Sequence, residues 1–167
     1  LKVAIADVSF YVKEGSALDL EAAKRTTSVY MPRKVVPMLP EKLSNELCSL
    51  QPNKRRRCLC IEMDFDKDGY INSYKFHRGI IKSVARLTYT EVENQLINGV
   101  KDSDYAESLK AAIVLFNKLI INKGYRGALD FTISEPLLQT NSDGDIKHIA
   151  DRKRLNSHKL IEEFMLA

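Results

Sequence analysis

The stretch from Arg25 to Leu50, RTTSVYMPRKVVPMLPEKLSNELCSL, most constrains the fold, because Pro32, Pro37 and Pro40 fall within nine residues. Each proline fixes φ and removes a backbone donor, so neither an uninterrupted helix nor a central strand can run through them. Each also pushes its predecessor out of the helical region, which predicts extended Met31, Val36 and Leu39. The segment reads as a rigid, irregular connection between two helices. It nonetheless carries Val29, Met31, Val35, Val36, Met38 and Leu39, and connections that run over a surface are normally more polar. The expectation is a shaped wall with core or ligand lying over it.

The 167 residues, 44% hydrophobic and 29% charged, fit one globular domain with a core of ordinary size. No apolar run approaches the roughly 20 residues of a membrane helix, and LKVAIADVSFYV lacks the features of a signal peptide. The reading is a chain with no membrane partner. Cys48, Cys58 and Cys60 are odd in number and the close pair is spaced CxC, so they read as reduced thiols in a cytoplasm rather than a disulfide framework or zinc site. The 26 Lys and Arg against 22 Asp and Glu give +4, a lean toward anionic partners. The first residues read at once as a buried strand with Val3, Ile5, Val8, Phe10 and Val12 apolar, and the last helix is still apolar on one face at its end. A segment of a longer protein, truncated at both ends, is expected.

In chain order, Ser16 or Asp19 caps a short helix in GSALDLEAAKR, and PEKLSNELCSL forms a two-turn helix burying Leu43, Leu47 and Leu50. Lys54, Arg55, Arg56 and Arg57 precede a strand, CLCIEMDF, in which Leu59, Ile61, Met63 and Phe65 alternate with Cys60, Glu62 and Asp64. A basic run at a strand entrance reads as a solvated turn, with phosphate contact the competing use. Strand 70–87 has a bend or bulge point at Gly79, and its His77 reads as a sheet histidine. Thr88 and Glu91 have capping-box spacing ahead of a helix ending near Asn98 and Gly99. Asp102 or Ser103 opens the next helix, whose Leu109, Ile113, Phe116 and Ile120 are a core stripe and which Gly124 closes. Pro136–Thr140 and Asp145–Ala150 form a second hairpin around NSDG, and Asn or Ser caps the last helix. Its Glu162 and Glu163 point about 100° apart, so only one can face a given site, and by residue type they read as paired surface acids.

Asp64 to Lys75, DFDKDGYINSYK, imitates an EF-hand calcium loop at its first, third and fifth acidic positions and at its glycine. The twelfth position, where a bidentate Glu is needed, is Lys75, and the flanks alternate with the period of strands. The stretch reads as a β-hairpin turned by Asp66, Lys67, Asp68 and Gly69, with positive φ at Gly69.

Taken together, IADVSFYV, TSVYMPRKVVPMLPEKLSNELCSL, SVARLTYTEV and HKLIEEFMLA resemble, in order and spacing, the RNB catalytic domain of the ribonuclease II and ribonuclease R family, and are closest to its ribonuclease R branch. The resemblance runs over essentially the whole chain and implies an α+β fold, a mixed but mostly antiparallel sheet with packed helices. Residues 1–167 would be the central segment of a single RNB domain. It further implies a processive, magnesium-dependent 3′ to 5′ exoribonuclease, monomeric and cytoplasmic at full length, that threads single-stranded RNA and releases nucleoside 5′-monophosphates.

By the same resemblance, Tyr30 in TSVYMP matches the aromatic that stacks on the 3′-terminal nucleotide, and Phe131 in ALDFTIS resembles the second aromatic of the clamp. Stacking on a π-face tolerates any base, which suits an enzyme that degrades any RNA. Tyr89 in LTYTEV and Glu162 in LIEEFM are similar to the pair that contacts ribose; a phenol and a carboxylate suit a 2′-hydroxyl, which both donates and accepts. The family's magnesium-binding aspartates and its later arginine motif match nothing in this chain, so the cluster is expected before Leu1 and the chain alone is expected to be inactive. The alternative of a different class is a noncatalytic RNA-binding module that has lost the metal site. For the DFDKDG loop the expected outcome of a calorimetric calcium titration is no micromolar binding, and a micromolar isotherm would reverse the hairpin reading.

Overall fold

The computed structural model describes residues 1–31, 34–129, 136–141, 146–151 and 153–167. The chain divides into two compact units, one of Leu1–Ile5, Gln51–Phe131 and Arg154–Ala167, the other of Ala6–Leu50 and Thr132–Lys153. Helices and antiparallel ladders make the fold α+β, as expected.

In the first unit, β1 (Lys2–Ala6), β4 (Arg55–Phe65) and β5 (Ile71–Lys82) form a sheet in the order β1-β4-β5. The β4–β5 ladder runs from Arg55 opposite Lys82 to Phe65 opposite Ile71. Strand β4 therefore begins three residues before Cys58, and Arg55, Arg56 and Arg57 are strand residues rather than a turn. Side chains alternate between faces of a strand, so the run is divided: Arg55 and Arg57 share one face and Arg56 takes the other. Burial also departs from simple alternation. Cys58 and Cys60 are buried on one face, while Met63 is buried on the opposite face with Leu59 and Ile61 beside it. The register shift lies at Asp64 and Phe65, next to the turn, and Gly79 pairs regularly with Cys58.

Asp66 explains the shift. Its amide and the Tyr70 carbonyl pair at 2.9 Å, and its Oδ1 accepts from the amides of Asp68 and Tyr70, both at 2.9 Å. These bonds, the Tyr70 amide foremost, hold the Asp66 carboxyl below the usual carboxylate range. Asp64 accepts from the Ser73 hydroxyl at 2.8 Å. Two acids of the apparent calcium loop are thus occupied in closing a hairpin, which is the predicted structure. Gly69 takes φ +85°, and a Cβ there would lie 2.9 Å from the Cβ of Lys118. Asn122 donates to the carbonyls of Asp68 at 3.0 Å and Gly69 at 3.3 Å, tying the turn to the helix below.

That helix is α4 (Ala106–Tyr125), flanked by α3 (Tyr89–Asn98) and α5 (Asn156–Leu166). Helix α3 opens with the predicted capping box: the Thr88 amide donates to Glu91 at 2.7 Å and the Glu91 amide to the Thr88 hydroxyl at 3.2 Å. Helix α4 starts later than expected, at Ala106, whose amide reaches the Ser103 carbonyl. It also runs through Gly124, and the left-handed residue beyond its end is Gly127, at φ +65°. Its stripe and α5 make the core of Phe116, Leu119, Leu160 and Phe164, with Leu1, Phe65 and Ile113 packed against it. Fully burying each such side chain contributes about 1.5–3 kcal/mol.

In the second unit the expected first strand ends early. Asp7 is buried and accepts from the Ser9 hydroxyl at 2.8 Å, and the chain turns into a single helical turn, α1 (Val8–Tyr11), that leaves Val8 and Phe10 exposed. Helix α2 (Ala17–Arg25) is capped by Ser16, which accepts from the Asp19 amide. The proline-rich stretch contains a two-residue ladder of β2 (Val29–Tyr30) and β3 (Val35–Val36), Val29 opposite Val36 and Tyr30 opposite Val35. Its apolar side chains are covered only in part: Val29, Tyr30, Met31 and Val35 are exposed, whereas Val36, Met38 and Leu39 are half-buried. Residues Lys42–Leu47 form a π-helical segment rather than two α-turns; the Cys48 amide reaches back five residues to the Leu43 carbonyl at 2.8 Å, and only Leu43 is fully buried. The predicted second hairpin is present as β6 (Pro136–Thr140) and β7 (Ile146–Asp151), and its turn residues 142–145 lie outside the described residues.

Replacing Gly69 with Ala should destabilise the first unit. The positive φ alone costs a side chain at least about 1 kcal/mol, and the approach to Lys118 adds to it. A chemical-denaturation midpoint unchanged from wild type would contradict this account of the turn.

Candidate RNA-binding site

Tyr89 occupies the first position of α3, directly after the Thr88 cap, so its backbone is set by the capping box. Its carbonyl accepts from the hydroxyl of Ser157, a residue only 1% exposed, at 2.8 Å. Its ring stacks on His158, centroids 4.1 Å apart and planes 25° from parallel. Half of the tyrosine remains open to solvent.

The N-terminus of α5 is held from outside the helix. The sequence predicts an Asn or Ser cap, but Leu155 occupies that position and Glu93 of α3 supplies the carboxylate, accepting from the Ser157 amide at 2.8 Å and the Asn156 side chain at 3.2 Å. A negative charge there also suits the partial positive end of the helix. His158 completes the turn, its Nδ1 accepting from the Leu155 amide at 3.0 Å.

Glu162 and Glu163 are not paired surface acids. Glu163 is 3% exposed and its carboxylate meets the Lys123 ammonium of α4 at 2.6 Å. Glu162 points elsewhere and meets Arg154 at 2.6 Å, with its side chain 40% exposed. It lies four residues after His158, so on α5 the two share a face, and the packing of α3 on α5 brings Tyr89 to that face. A phenol stacked on an imidazole and a carboxylate paired with a guanidinium thus lie one helical turn apart along α5. Beside them lies an apolar cavity of about 350 Å³ between α3, α4 and α5, with Tyr89, Tyr105, Leu109 and Ile161 in its lining.

Tyr30 stands in the second unit, on the small ladder, 78% exposed. Its support is anchored by backbone pairing of Met31 with Lys34, by the Met38 amide on the Ser28 hydroxyl and by Arg25 on the Pro37 carbonyl, both at 2.9 Å. An exposed ring on a tied-down hairpin can stack on a planar ligand. Phe131 lies outside the described residues. Among the described residues no three His, Cys, Asp or Glu side chains are grouped to hold a metal ion. No helix among them is long and apolar enough to cross a membrane.

Sequence reasoning did not single out His158, Glu93 or Arg154, and it raised Ser157 only as a candidate cap of α5. A signal for His158 was present, since it precedes Glu162 by one helical turn; nothing local pairs Glu93 or Ser157 with residues more than sixty positions away.

The chain belongs to the RNB domain family, whose profile matches residues 1–167. Ribonuclease R of Escherichia coli (strain K12) is 43% identical over 171 residues, an alignment covering 99% of this chain and 21% of that protein. The Mycoplasma genitalium RNase R structure in complex with ribose methylated single-stranded RNA superposes with TM-score 0.91 at 36% identity, over 98% of this chain and 26% of that one. The same enzyme in complex with double-stranded RNA also gives TM-score 0.91. The chain thus spans about a fifth of the length of the curated relatives it matches.

The two acids of α5 should respond differently to loss of their partners. Lys123→Met leaves Glu163 buried and unpaired and is expected to cost about 3–5 kcal/mol. Arg154→Ala releases a part-exposed pair and is expected to stay within about 1 kcal/mol. Urea denaturation of the two variants checks the contrast, and equal losses would contradict it.

Proposed function

We propose that the protein containing this chain is a processive, magnesium-dependent 3′ to 5′ exoribonuclease that hydrolyses single-stranded RNA to nucleoside 5′-monophosphates. In that reading this chain is one wall of the RNA channel, within a monomeric cytoplasmic enzyme. The observation that carries it is membership of the RNB family over all 167 residues, together with close structural likeness to an enzyme solved with single-stranded RNA.

The site supports this reading in its chemistry. Tyr30 offers an exposed π-face to a terminal base, a contact worth about 1–3 kcal/mol whatever the base. Tyr89, stacked on His158, offers a phenolic hydroxyl and Glu162, one turn along the same helix from His158, a carboxylate; a 2′-hydroxyl can donate to an acid and accept from a phenol. Phe131 is proposed as the second stacking aromatic on the resemblance alone. Magnesium would activate water and neutralise the leaving oxygen. On the resemblance alone, its ligands are proposed to lie in other parts of the protein and this chain by itself to be inactive.

The test is degradation of a 5′-labelled single-stranded RNA by the full-length protein, with magnesium and then with EDTA, for wild type and Tyr30→Ala. Magnesium-dependent shortening from the 3′ end is expected, with Tyr30→Ala changing the length of the end product and weakening binding of short RNA roughly tenfold. RNA binding without degradation would replace this reading by the noncatalytic module.

A further inference from the structure

We infer that His158 is a positioning residue for ribose recognition: its imidazole is the platform that fixes the plane of the Tyr89 ring, one helical turn from Glu162 on α5. The inference rests on the proposed role of Tyr89 and Glu162 in reading ribose and adds a residue to it.

The geometry is specific. The stack is close and nearly parallel, at 4.1 Å and 25°, which offset stacking favours and which restricts rotation of the tyrosine ring. The imidazole is itself fixed, because Nδ1 accepts from the Leu155 amide at 3.0 Å. That bond places the proton of the neutral ring on Nε2 and sets the ring's orientation at the first turn of α5. The Tyr89 backbone is fixed separately, by the Ser157 hydroxyl on its carbonyl and by the Thr88 cap before it. With backbone and ring plane both set, the remaining freedom of Tyr89 is small, and the residue stays 43% exposed. Glu162 lies one turn further along the same helix, so the imidazole and the carboxylate keep a constant spacing. A group read by both therefore meets two preset partners and orders neither on binding.

His158 has two separable roles here, a ring for stacking and an acceptor for the Leu155 amide, and substitutions divide them. Phe keeps a ring without the acceptor; Asn keeps an acceptor near the Nδ1 position without the ring; Ala keeps neither. The experiment uses the full-length protein with EDTA, so that nothing is cleaved, and measures Kd for a single-stranded RNA and for the DNA of the same sequence. Thermal midpoints are recorded alongside. For His158→Ala the RNA preference should fall about two- to tenfold, the range expected of one lost stacked pair, and the midpoint should fall too. His158→Phe should restore the preference but not the midpoint, and His158→Asn the midpoint but not the preference.

A wild-type preference in His158→Asn would overturn the inference. So would a preference that simply follows the midpoint through all three variants, which is the behaviour of a purely structural residue. Glu162→Gln separates the two levels. If it lowers the preference while His158→Asn does not, only the positioning role fails. If wild type shows no preference, or Glu162→Gln leaves it unchanged, the ribose-reading role fails and the inference falls with it.

Discussion

The Glu163 carboxylate is buried against the Lys123 ammonium at 2.6 Å, and this pair sets how α5 is rotated on α4. Neighbouring residues on a helix diverge by about 100°, so with Glu163 committed to α4, Glu162 must emerge on a different side. Desolvating two charges is costly, so the attraction within a pair of this kind is largely offset and its net stabilisation is small. Its geometric effect extends along the helix. His158, one turn before Glu162, is carried to the face that meets α3, and Phe164 beside Glu163 joins the core with Leu160.

The contacts between α3 and α5 complete what the ion pair begins. Glu93 caps a helix to which it does not belong, and Ser157 returns a hydrogen bond to the carbonyl at the start of α3. Glu93 thereby satisfies an amide at the start of α5 that the helix leaves unpaired, and the Ser157 hydroxyl ties α5 to the first residue of α3. Tyr89 owes its place against His158 of α5 to these bonds as well as to the ring stack itself. The capping box of α3 works in the same direction: the Thr88 amide, chiefly, and its hydroxyl hold Glu91 below the usual carboxylate range, keeping it ionised as the cap requires.

The β4–β5 hairpin shows how acidic residues can be structural while resembling a metal loop. Asp66 accepts from its own turn, Asp64 binds Ser73, and Asn122 attaches the whole to α4, which Gly69 alone lets approach so closely. The proline-rich stretch of the second unit is the opposite case. Its prolines do exclude long helix and strand, yet Val29, Met31 and Val35 are exposed while Val36, Met38 and Leu39 are half-buried, and Tyr30 is the most open of the exposed ones. Apolarity there is legible in the sequence, whereas whether it is covered depends on packing.

The features that the sequence determined by itself are those whose causes lie within a few residues: the Ser16 cap, the Thr88–Glu91 box, the Gly69 turn, the two hairpins and, apart from Ile120, which is exposed where Leu119 is buried, the core stripe of α4. The order of its blocks also identified the RNB family, since a family pattern is a property of the chain as written. Element ends were less legible, because β4 extends through three arginines that pairing with β5 recruits, and α4 passes through Gly124. Only the tertiary structure decided which of two adjacent glutamates is buried, what caps α5 and what lies against Tyr89. Those outcomes depend on partners 40, 64 and 68 residues away in the chain, through hydrogen bonds and an ion pair that exist only once the helices have packed.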